Sequence, residues 1–343
     1  MPLPYPAAHA VPLILAPMAG VSEAAFRRLC RRFGADVVVS EFLSSEGLRR
    51  GGARSLAMAA FGPEERPIGI QLFGADPGAM AEAAALVTET FRPEFVDINF
   101  GCPVRKVVQR NGGSGCLKDL ALVGAIIRAV VAATPLPVTV KTRSGWDEAT
   151  RDPVGIALRC QDAGAKAITL HPRTRAQRFG GHARWEEIAA VVRALQIPVV
   201  GNGDIHTAED VVRMRGETGC AAVMVARGSF GQPWIFDQTR DLLEGRAMRP
   251  DPPVEDRFAV ALDHARMANE YEPDRRGAAI EFRKHLGWYV KGLPGSADLR
   301  KRLHAVESLG EVEGIFEDYL RSNDRYALAP ESADGASLET AEV

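Results

Sequence analysis

Phe95–Pro103, FVDINFGCP, is the stretch from which both the fold and the chemistry follow. Its first four residues are almost wholly apolar and the run stops at Asn99 and Gly101, which is typical of a buried strand bounded by turn residues. Gly101 allows a tight backbone turn and Pro103 fixes its own φ, so local covalent geometry sets the direction of the Cys102 thiol. A lone cysteine is more often a buried structural residue. The position of Cys102 just past a strand end favours a reactive thiol.

Buried runs of the same kind recur between Leu13 and Phe236. Eight of them predict strands: Leu13–Ala16, Asp36–Glu41, Ile68–Phe73, Phe95–Asn99, Pro137–Thr142, Ala167–His171, Pro198–Asn202 and Ala221–Ala226. Helix-length segments separate them, and because parallel neighbours need long crossovers, the alternation predicts an α/β fold with a parallel sheet. Eight such units close into a (β/α)₈ barrel, also called a TIM barrel. An open doubly wound sheet is disfavoured, since no G-x-G-x-x-G follows the first strand.

A change in composition marks the end of the barrel domain, which we place at residues 1–244. GRAMRPDPPV, at 245–254, is rich in proline and charge and has no periodicity, so we predict a linker. Helical patterns follow, and they predict a small all-α domain at 255–325. The acidic residues 326–343 contain few bulky apolar side chains and predict a disordered tail.

Composition excludes several classes of protein. The five cysteines are widely spaced and form no C-x-x-C pair, which argues against a disulfide framework or a zinc site. No secretory signal and no apolar run of membrane-spanning length is present. We therefore expect a cytoplasmic monomer with no metal and no membrane partner. The net charge of −2 alone argues against a nucleic-acid partner.

Candidate site residues occur just past the predicted strand ends, which meet at one face of a barrel. In chain order they are Pro17, Met18, Ala19, Gln71, Asn99, Cys102, Lys141, Arg143, His171, Arg173, Asn202, Gly203, Asp204, Ala226, Arg227 and Gly228. Several have ordinary structural explanations when taken singly: Gln71 as a loop hydrogen bonder, or His171 as a satisfied inner-barrel histidine. Their recurrence at almost every strand end predicts a functional site.

The last two strand ends indicate what is bound. Barrels often hold a phosphate between the loops after strands seven and eight, using backbone N–H groups. Gly203 and Gly228 offer such amides, and Arg227 offers a positive charge. A phosphorylated cofactor or substrate is therefore expected there. Lys141 then suits an anionic flavin ring, a substrate carbonyl or a Schiff base, and the amides of Gln71 and Asn99 suit the edge of a flat heterocycle.

Eight stretches together resemble the tRNA-dihydrouridine synthases, and within them the bacterial B-type branch associated with a nitrogen-regulation operon. They are APMAGVSEAAFR (16–27), IQLFGADP (70–77), VDINFGCPVRKVVQRNGGSGCL (96–117), VTVKTRSGW (138–146), HPRTRAQRFGGHARW (171–185), VVGNGDIHTAEDVVRM (199–214), VMVARGSFGQPWIF (223–236) and RKHLGWYVKG (283–292). The resemblance runs from about Pro12 to about Leu309. It implies an FMN-dependent reductase of tRNA uridines that uses NADPH.

The resemblance also implies residue roles. It assigns FMN binding to Pro17, Met18, Ala19, Gln71, Lys141, His171, Asn202, Gly203, Asp204, Ala226, Arg227 and Gly228. It assigns the catalytic acid to Cys102. Ala226 departs from the family pattern, which usually has glycine before the arginine, and its methyl group is expected to crowd the phosphate amides.

The chemistry of uracil reduction makes a demand on Cys102. Hydride from reduced FMN adds at C6 and a proton adds at C5, so the thiol must stay protonated. An ordinary thiol with a pKa of about 8.5 is mostly neutral near pH 7. Lys141 and Arg143 lie close enough in the predicted barrel to lower that pKa. We expect flavin and uracil oxygens to occupy those two cations.

Contacts with tRNA are expected from both domains, because extruding a base costs a few kcal/mol that backbone contacts must offset. On a predicted helix over 276–291, Arg276, Arg283, Lys284 and Lys291 share one side, and an apolar stripe occupies the neighbouring arc. Arg173 and Arg175, beyond strand six, are further phosphate candidates, and Asn99 and Arg143 are candidates for contacting the uridine. The glycines of residues 112–115 suggest either a moving lid over Cys102 or a plain connector.

Three other functions fit parts of the sequence. A flavin barrel acting on a free pyrimidine, similar to dihydroorotate or dihydropyrimidine dehydrogenases, needs no basic helical domain. A Schiff-base aldolase would use Lys141. A non-enzymatic RNA-binding factor would carry no flavin.

Overall fold

The structure is a computed structural model that describes residues 1–109, 111–271 and 275–326. These residues form two compact units. The first unit comprises Met1–Ser229 and Trp234–Arg249, and the second comprises Phe230–Pro233 and the described residues from Pro250 onward. The tail predicted at 326–343 lies outside the described residues except for Tyr326. No helix in the described ranges is long and apolar enough to cross a membrane.

The first unit is a closed parallel barrel, as the sequence predicts. Its strands are β1 Leu13–Leu15, β2 Val37–Val39, β3 Leu43–Ser44, β4 Ile68–Phe73, β5 Phe95–Phe100, β6 Val138–Arg143, β7 Ala167–His171, β8 Val199–Asn202 and β9 Ala222–Val225. Eight of them form the ring in the order β1, β9, β8, β7, β6, β5, β4, β2, and pairing of β2 with both β1 and β4 closes it. The two-residue β3 pairs with the end of β4. The predicted strands all occur, and no strand end differs from its predicted position by more than two residues.

Helices cover the barrel and make up the second unit. The first unit contains α1 Ala24–Arg32, α2 Ser45–Arg49, α3 Ala53–Ala59, α4 Pro77–Phe91, α5 Arg105–Val108, α6 Leu120–Ala133, α7 Pro153–Asp162, α8 Trp185–Ala194, α9 Ala208–Thr218 and α10 Ile235–Leu243. Side chains of Asp76, Asp119, Asp152 and Thr207 accept N–H groups at the starts of α4, α6, α7 and α9. Such caps fix where each outer helix begins, because the first N–H groups of a helix have no partner within it.

The predicted linker differs in its two halves. Asp241 of α10 accepts hydrogen bonds from the side chains of Arg246 and Arg249, at 2.8 and 2.6 Å. Residues up to Arg249 are therefore fastened to the barrel unit, although their composition is typical of a free linker. The change of unit occurs between Arg249 and Pro250.

The second unit is helical, which confirms the predicted helical region. It contains α11 Val254–Tyr271, α12 Arg275–Tyr289, α13 Ser296–Leu303 and α14 Leu309–Tyr326. Phe258 of α11 stacks on Phe316 of α14 with ring centroids 4.0 Å apart. The apolar stripe predicted on α12 is buried at Phe282, Leu286 and Tyr289. The side chain of Arg276 lies outside the described residues.

The N-terminal segment packs into the floor of the barrel, which is the end at which the strands begin. Tyr5 stacks on Phe95 of β5 with ring centroids 4.0 Å apart, and it packs among inward-facing residues of the other strands. A Cβ at Gly69 would lie 2.2 Å from the Phe95 ring, so glycine leaves the space that this ring fills. Beside the floor, the buried carboxylate of Asp36 binds His9 and Arg240. The first residues of the chain are thus part of the barrel core.

Replacing Tyr5 by alanine is expected to lower the free energy of unfolding by about 3 kcal/mol, because it removes a buried ring and leaves a cavity under Phe95. Tyr5→Phe keeps the ring and should stay within about 1 kcal/mol of wild type. Urea denaturation of both variants measures the difference. A Tyr5→Ala midpoint equal to that of wild type would show that the segment does not contribute to the core.

Candidate functional site

The register of three neighbouring strands brings the predicted site residues together at one end of the barrel. Asn99 of β5 pairs with Lys141 of β6, and Arg143 of β6 pairs with His171 of β7. Parallel strands in register point paired side chains the same way. The Lys141 ammonium donates to Asn202 Oδ1 of β8 at 2.9 Å. The carboxyl ends of four strands therefore share one polar site.

The backbone around Cys102 is held by three side chains. Asn99 Oδ1 accepts the N–H groups of both Gly101 and Cys102 at 2.9 Å. Arg143 Nε donates to the Gly101 carbonyl at 2.8 Å, and the Ser114 hydroxyl donates to the Cys102 carbonyl at 2.7 Å. Both peptide groups adjoining the Cys102 Cα are thereby anchored. The direction of the thiol is fixed by these contacts as well as by Gly101 and Pro103.

The glycine-rich segment after Cys102 packs back against it. Gly113 has a φ of +55°, and a Cβ there would lie 3.1 Å from the Cβ of Cys102. Ser114 is fully buried, and its N–H also donates to the Cys102 carbonyl, at 3.2 Å. In this conformation the segment, whether lid or connector, contacts the backbone of Cys102 directly.

A line of buried hydrogen bonds connects the barrel interior to Cys102. In register across β4, β5 and β6 lie Gln71, Asp97 and Thr139. Asp97 accepts from the Thr139 hydroxyl and, at 2.6 Å, from Gln71 Nε2. The carbonyl oxygen of Gln71 then accepts from Asn99 Nδ2 at 2.7 Å. Because a carboxylate only accepts, Asp97 determines which way round both amides lie, and Asn99 is left with its oxygen facing the cysteine loop.

Asp97 and Thr139 belong to this network but were not among the candidates taken from the sequence. The signal was present: an acidic residue inside an otherwise apolar strand, two positions from Asn99 and therefore on the same face. Burial raises the pKa of Asp97, opposed by the hydrogen bonds from Thr139 and Gln71 and by the charge of Lys141.

The Cys102 thiol lies in surroundings that favour its protonated form. Burial is the largest influence and raises its pKa, and the Val104 N–H and the charges of Arg143 and Lys141 only partly oppose this. The net direction is upward, so the thiol is neutral at pH 7. The expected conflict with the two cations is resolved by burial.

Lys141 is a cation with spare donors. Its pKa is lowered to about 8, first by burial and then by Arg143, while the charge of Asp97 opposes the shift. Asn202 Oδ1 is its one acceptor among the described residues, and Asn202 Nδ2 is bound to the Met224 carbonyl at 2.8 Å. An ammonium has three N–H donors, so two are available to a ligand.

Two glycines shape the corner between the loops after β8 and β9. Gly203 has a φ of +114°, and a Cβ there would lie 2.7 Å from the His171 ring. A Cβ at Gly228 would lie 2.4 Å from the Ile205 carbonyl oxygen. Arg227 beside them is partly exposed and lies 3.8 Å from the Asp204 carboxylate. The corner combines a close backbone approach with a positive charge, which suits a phosphate.

The guanidinium of Arg173, a candidate for contacting RNA phosphates, is fully engaged within the protein. Its guanidinium binds both oxygens of Asp204 at 2.8 Å, contacts His171 Nε2 at 3.2 Å, and donates to the carbonyls of Gly180 and Gly181. All five N–H donors are engaged, so none is free for an RNA phosphate. Asp204, which was expected at the flavin, accepts two of these bonds.

His171 is neutral in this setting. Burial lowers its pKa well below 6.5, and Arg143, Lys141, Arg173 and Arg227 reinforce the effect. Its Nε2 faces a guanidinium donor of Arg173 and therefore accepts, which leaves the hydrogen on Nδ1. The ring is an uncharged donor.

Arg143 and Asn99, predicted to contact the uridine, are largely engaged with the protein. Arg143 Nη1 donates to the carbonyls of Thr174 and Arg178 at 3.0 and 2.8 Å, in addition to the contact at Gly101. Only its Nη2 has no partner in the described part of the chain. Burial and then the charge of Arg173 lower the pKa of Arg143 to about 10, so it stays charged at neutral pH.

The remaining candidates fall into two groups. Met18, between Pro17 and Ala19 in the loop after β1, packs with Ala226 against the apolar interior of the barrel. In the helical unit Arg283 Nε donates to the Val306 carbonyl at 2.8 Å, so it is partly engaged. Lys284 and Lys291 are exposed and have no acidic partner among the described residues.

A family model and several related sequences identify one family. The family model described as "Dihydrouridine synthase (Dus)" matches residues 14–323. The chain is 40% identical over 89% of its length to the probable tRNA-dihydrouridine synthase 1 of Synechocystis, covering 85% of that protein. It is 39% identical to tRNA-dihydrouridine synthase B of Pseudomonas aeruginosa over 86% of this chain and 88% of that one. For the B enzyme of Vibrio vulnificus the identity is 37%, over 89% and 96%. With a family match across nearly its whole length and relatives of similar extent, this chain belongs to the dihydrouridine synthase family.

Proposed function

We propose that this protein reduces specific uridines in tRNA to 5,6-dihydrouridine, with FMN as bound cofactor, NADPH as reductant and Cys102 as the acid that protonates C5. The observation that carries the proposal is the Cys102 thiol, which is anchored just past the end of β5. Burial raises its pKa, although the charges of Arg143 and Lys141 are near enough to lower it in part. The relatives named as tRNA-dihydrouridine synthases support the reaction and the substrate.

The donors at the barrel end fit a flavin. Lys141 has two uncommitted N–H groups, and His171 offers a neutral N–H. The corner at Gly203 and Gly228, with Arg227, suits the phosphate. Met18 and Ala226 supply apolar contacts beside the polar groups. When bound, the flavin supplies the hydride that reaches C6 of the uracil.

The chain's own residues then have separable tasks. Cys102 holds a proton on sulfur and delivers it to C5. Lys141 and Arg143 Nη2 stabilise negative charge that develops on carbonyl oxygens during the reaction. Asn99 and Ser114 keep the sulfur in place, and Asp97 and Asn202 orient the groups that hold the site.

The domain assignments follow from this function. Residues 1–244 would bind FMN and catalyse the reaction. Residues 255–325 would contact tRNA, with Lys284 and Lys291 as exposed cations and Arg283 held against its own unit. Such contacts neutralise phosphates and make the affinity fall steeply with salt.

Cys102→Ala is expected to reduce tRNA uridine reduction by at least about 100-fold, the typical contribution of a general acid. Reduction of the bound flavin by NADPH should persist, because the thiol takes no part in it. Mass spectrometry of tRNA from a strain lacking the protein, after incubation with enzyme and NADPH, follows the gain of 2 Da expected for two added hydrogens. Cys160→Ala, another buried cysteine, is the matched control. Full activity of Cys102→Ala, or equally fast reduction of free uracil by wild type, would contradict the proposal.

The pKa of Lys141 predicts how flavin binding depends on pH. Because the folded-state pKa is about 8, the ammonium is charged below that pH and loses its charge above it. The affinity of the apoprotein for FMN should therefore fall above about pH 8. Quenching of flavin fluorescence measures the dissociation constant. Lys141→Met should bind more weakly at neutral pH and lack this fall. A similar fall in Lys141→Met would assign it to another group.

Asp97→Asn should move that midpoint to lower pH, because the negative charge of Asp97 is one of the influences that raise the pKa of Lys141. The same flavin titration at a series of pH values measures the midpoint. Thr139→Val removes one hydrogen bond to Asp97 but keeps the charge, so its midpoint should stay close to that of wild type. Equal midpoints in Asp97→Asn and wild type would show that the two charges are not coupled.

A further inference from the structure

Two cations lie over one aromatic ring at the catalytic end of the barrel. The Lys118 ammonium is 3.9 Å, and the Arg175 guanidinium carbon 4.4 Å, from the ring centroid of Trp146. The three residues come from the segments after β5, β6 and β7. Cys102 directly follows the first of these strands, and Lys141 lies on the second. We call them the Lys118–Trp146–Arg175 array.

The backbone builds this array. Gly145 has a φ of +153°, and a Cβ there would lie 2.5 Å from the Thr150 carbonyl oxygen, so the turn before Trp146 requires glycine. Arg175 N–H donates to the Gly145 carbonyl at 3.0 Å, and Ala176 N–H donates to the Trp146 carbonyl at 2.9 Å. These two bonds align the loop after β7 with the loop after β6. Trp146 and Arg175 are neighbours for that reason.

Both charges lack an acidic partner in the described residues. The side chain of Lys118 is exposed and its ammonium lies over the ring, and Arg175 Nε is buried without a hydrogen-bond acceptor among the described residues. By contrast, the nearby Arg151 pairs with Glu148 and Glu187.

The carboxylates closest in sequence to the array are already engaged. Asp119 accepts the N–H groups that begin α6, Asp147 accepts from Thr150, and Glu148 binds Arg184 as well as Arg151. Two positive charges are thus held near each other by an indole, and the part of the chain that the structure describes supplies no carboxylate to pair with either of them.

We propose that this array binds the sugar-phosphate backbone of the RNA beside the uridine that enters the barrel. The inference rests on the proposed function, because a base that leaves its stack to reach Cys102 brings the flanking phosphates to the rim of the barrel. Lys118 and Arg175 carry the charge, and Trp146 limits their motion. Holding long side chains in place before binding reduces the entropy lost when the phosphates arrive.

The test measures binding of an unmodified tRNA transcript by fluorescence anisotropy over a series of salt concentrations. Lys118→Gln and Arg175→Gln should each weaken binding several-fold at 0.1 M salt (about a 10 Å screening length). Each should also reduce the slope of log affinity against log salt by about 0.7 to 0.9, the change expected for one lost phosphate contact. Arg128→Gln removes an exposed charge from α6 and is the matched control, with wild-type affinity and slope.

Trp146→Leu separates the ring from the charges. This variant keeps both cations but no longer restricts their motion. Its affinity for the transcript should therefore fall several-fold, while the slope of log affinity against log salt stays close to that of wild type. Trp146→Phe keeps an aromatic face and should bind nearly as tightly as wild type. Bound-flavin absorbance and thermal unfolding verify that each variant is folded. If Trp146→Leu does not fold, Lys118→Gln and Arg175→Gln still test the proposal.

Three outcomes separate the possible failures. If wild type does not bind the transcript, the proposed function fails. If wild type binds but Lys118→Gln and Arg175→Gln match Arg128→Gln, the proposed function stands and the array proposal is overturned. If poly-L-glutamate competes as well as single-stranded RNA at equal charge, and only in proteins with the intact array, the surface binds an acidic polypeptide and the RNA assignment is overturned.

Discussion

A carboxylate enclosed by a ring of strands must find its hydrogen-bond donors on the neighbouring strands, and this requirement at Asp97 organises the site. Thr139 and Gln71 meet it, one from each side. Since the acid only accepts, the amide of Gln71 has one orientation and imposes one on Asn99. Two backbone N–H groups beside the thiol then find an oxygen in place. The buried carboxylate of Asp97 thus fixes, through Gln71 and Asn99, the hydrogen bonds that hold the backbone at Cys102.

The end of the barrel that contains the candidate site is strongly positive, and yet its cysteine thiol is protonated and its histidine is neutral. Lys141, Arg143, Arg173 and Arg227 all face His171, and together with burial they keep its pKa far below the usual range. At Cys102 burial acts in the opposite sense to the cations and outweighs them. The same low-dielectric surroundings therefore yield an uncharged donor and a protonated thiol. An electron-rich or anionic ligand is the natural complement to such a site.

Long buried strands were predictable from sequence, and Ile68–Phe73 and Ala167–His171 match to the residue. Both faces of these strands are covered, so their composition alone distinguishes them. The two-residue β3 and the five-residue α2 were not predictable in this way. Segments this short do not contain enough residues to show a strand or helix periodicity.

The position of the candidate residues was predictable from sequence, but their contacts were less so. Position past a strand end correctly placed Cys102, Lys141 and His171 at the same end of the barrel. It also suggested that Arg173 faces RNA, whereas the turn at Asp204, with a φ of +53°, brings a carboxylate to this arginine. Such pairings depend on loop conformations that no spacing rule gives. Asp97 was overlooked because a buried acid between apolar neighbours reads as part of the strand.

The sealed floor of the barrel has a consequence for how the chain is made. Arg240 contacts the Val11 carbonyl and the Asp36 carboxylate, partners 229 and 204 positions earlier in the sequence. During synthesis the first strand leaves the ribosome long before β9, its neighbour in the ring, exists. In the nascent protein, the apolar edge of β1 that later pairs with β9 therefore stays unpaired through most of translation. Closure of the ring is a late, cooperative step, and the entropy of closing a long loop opposes it.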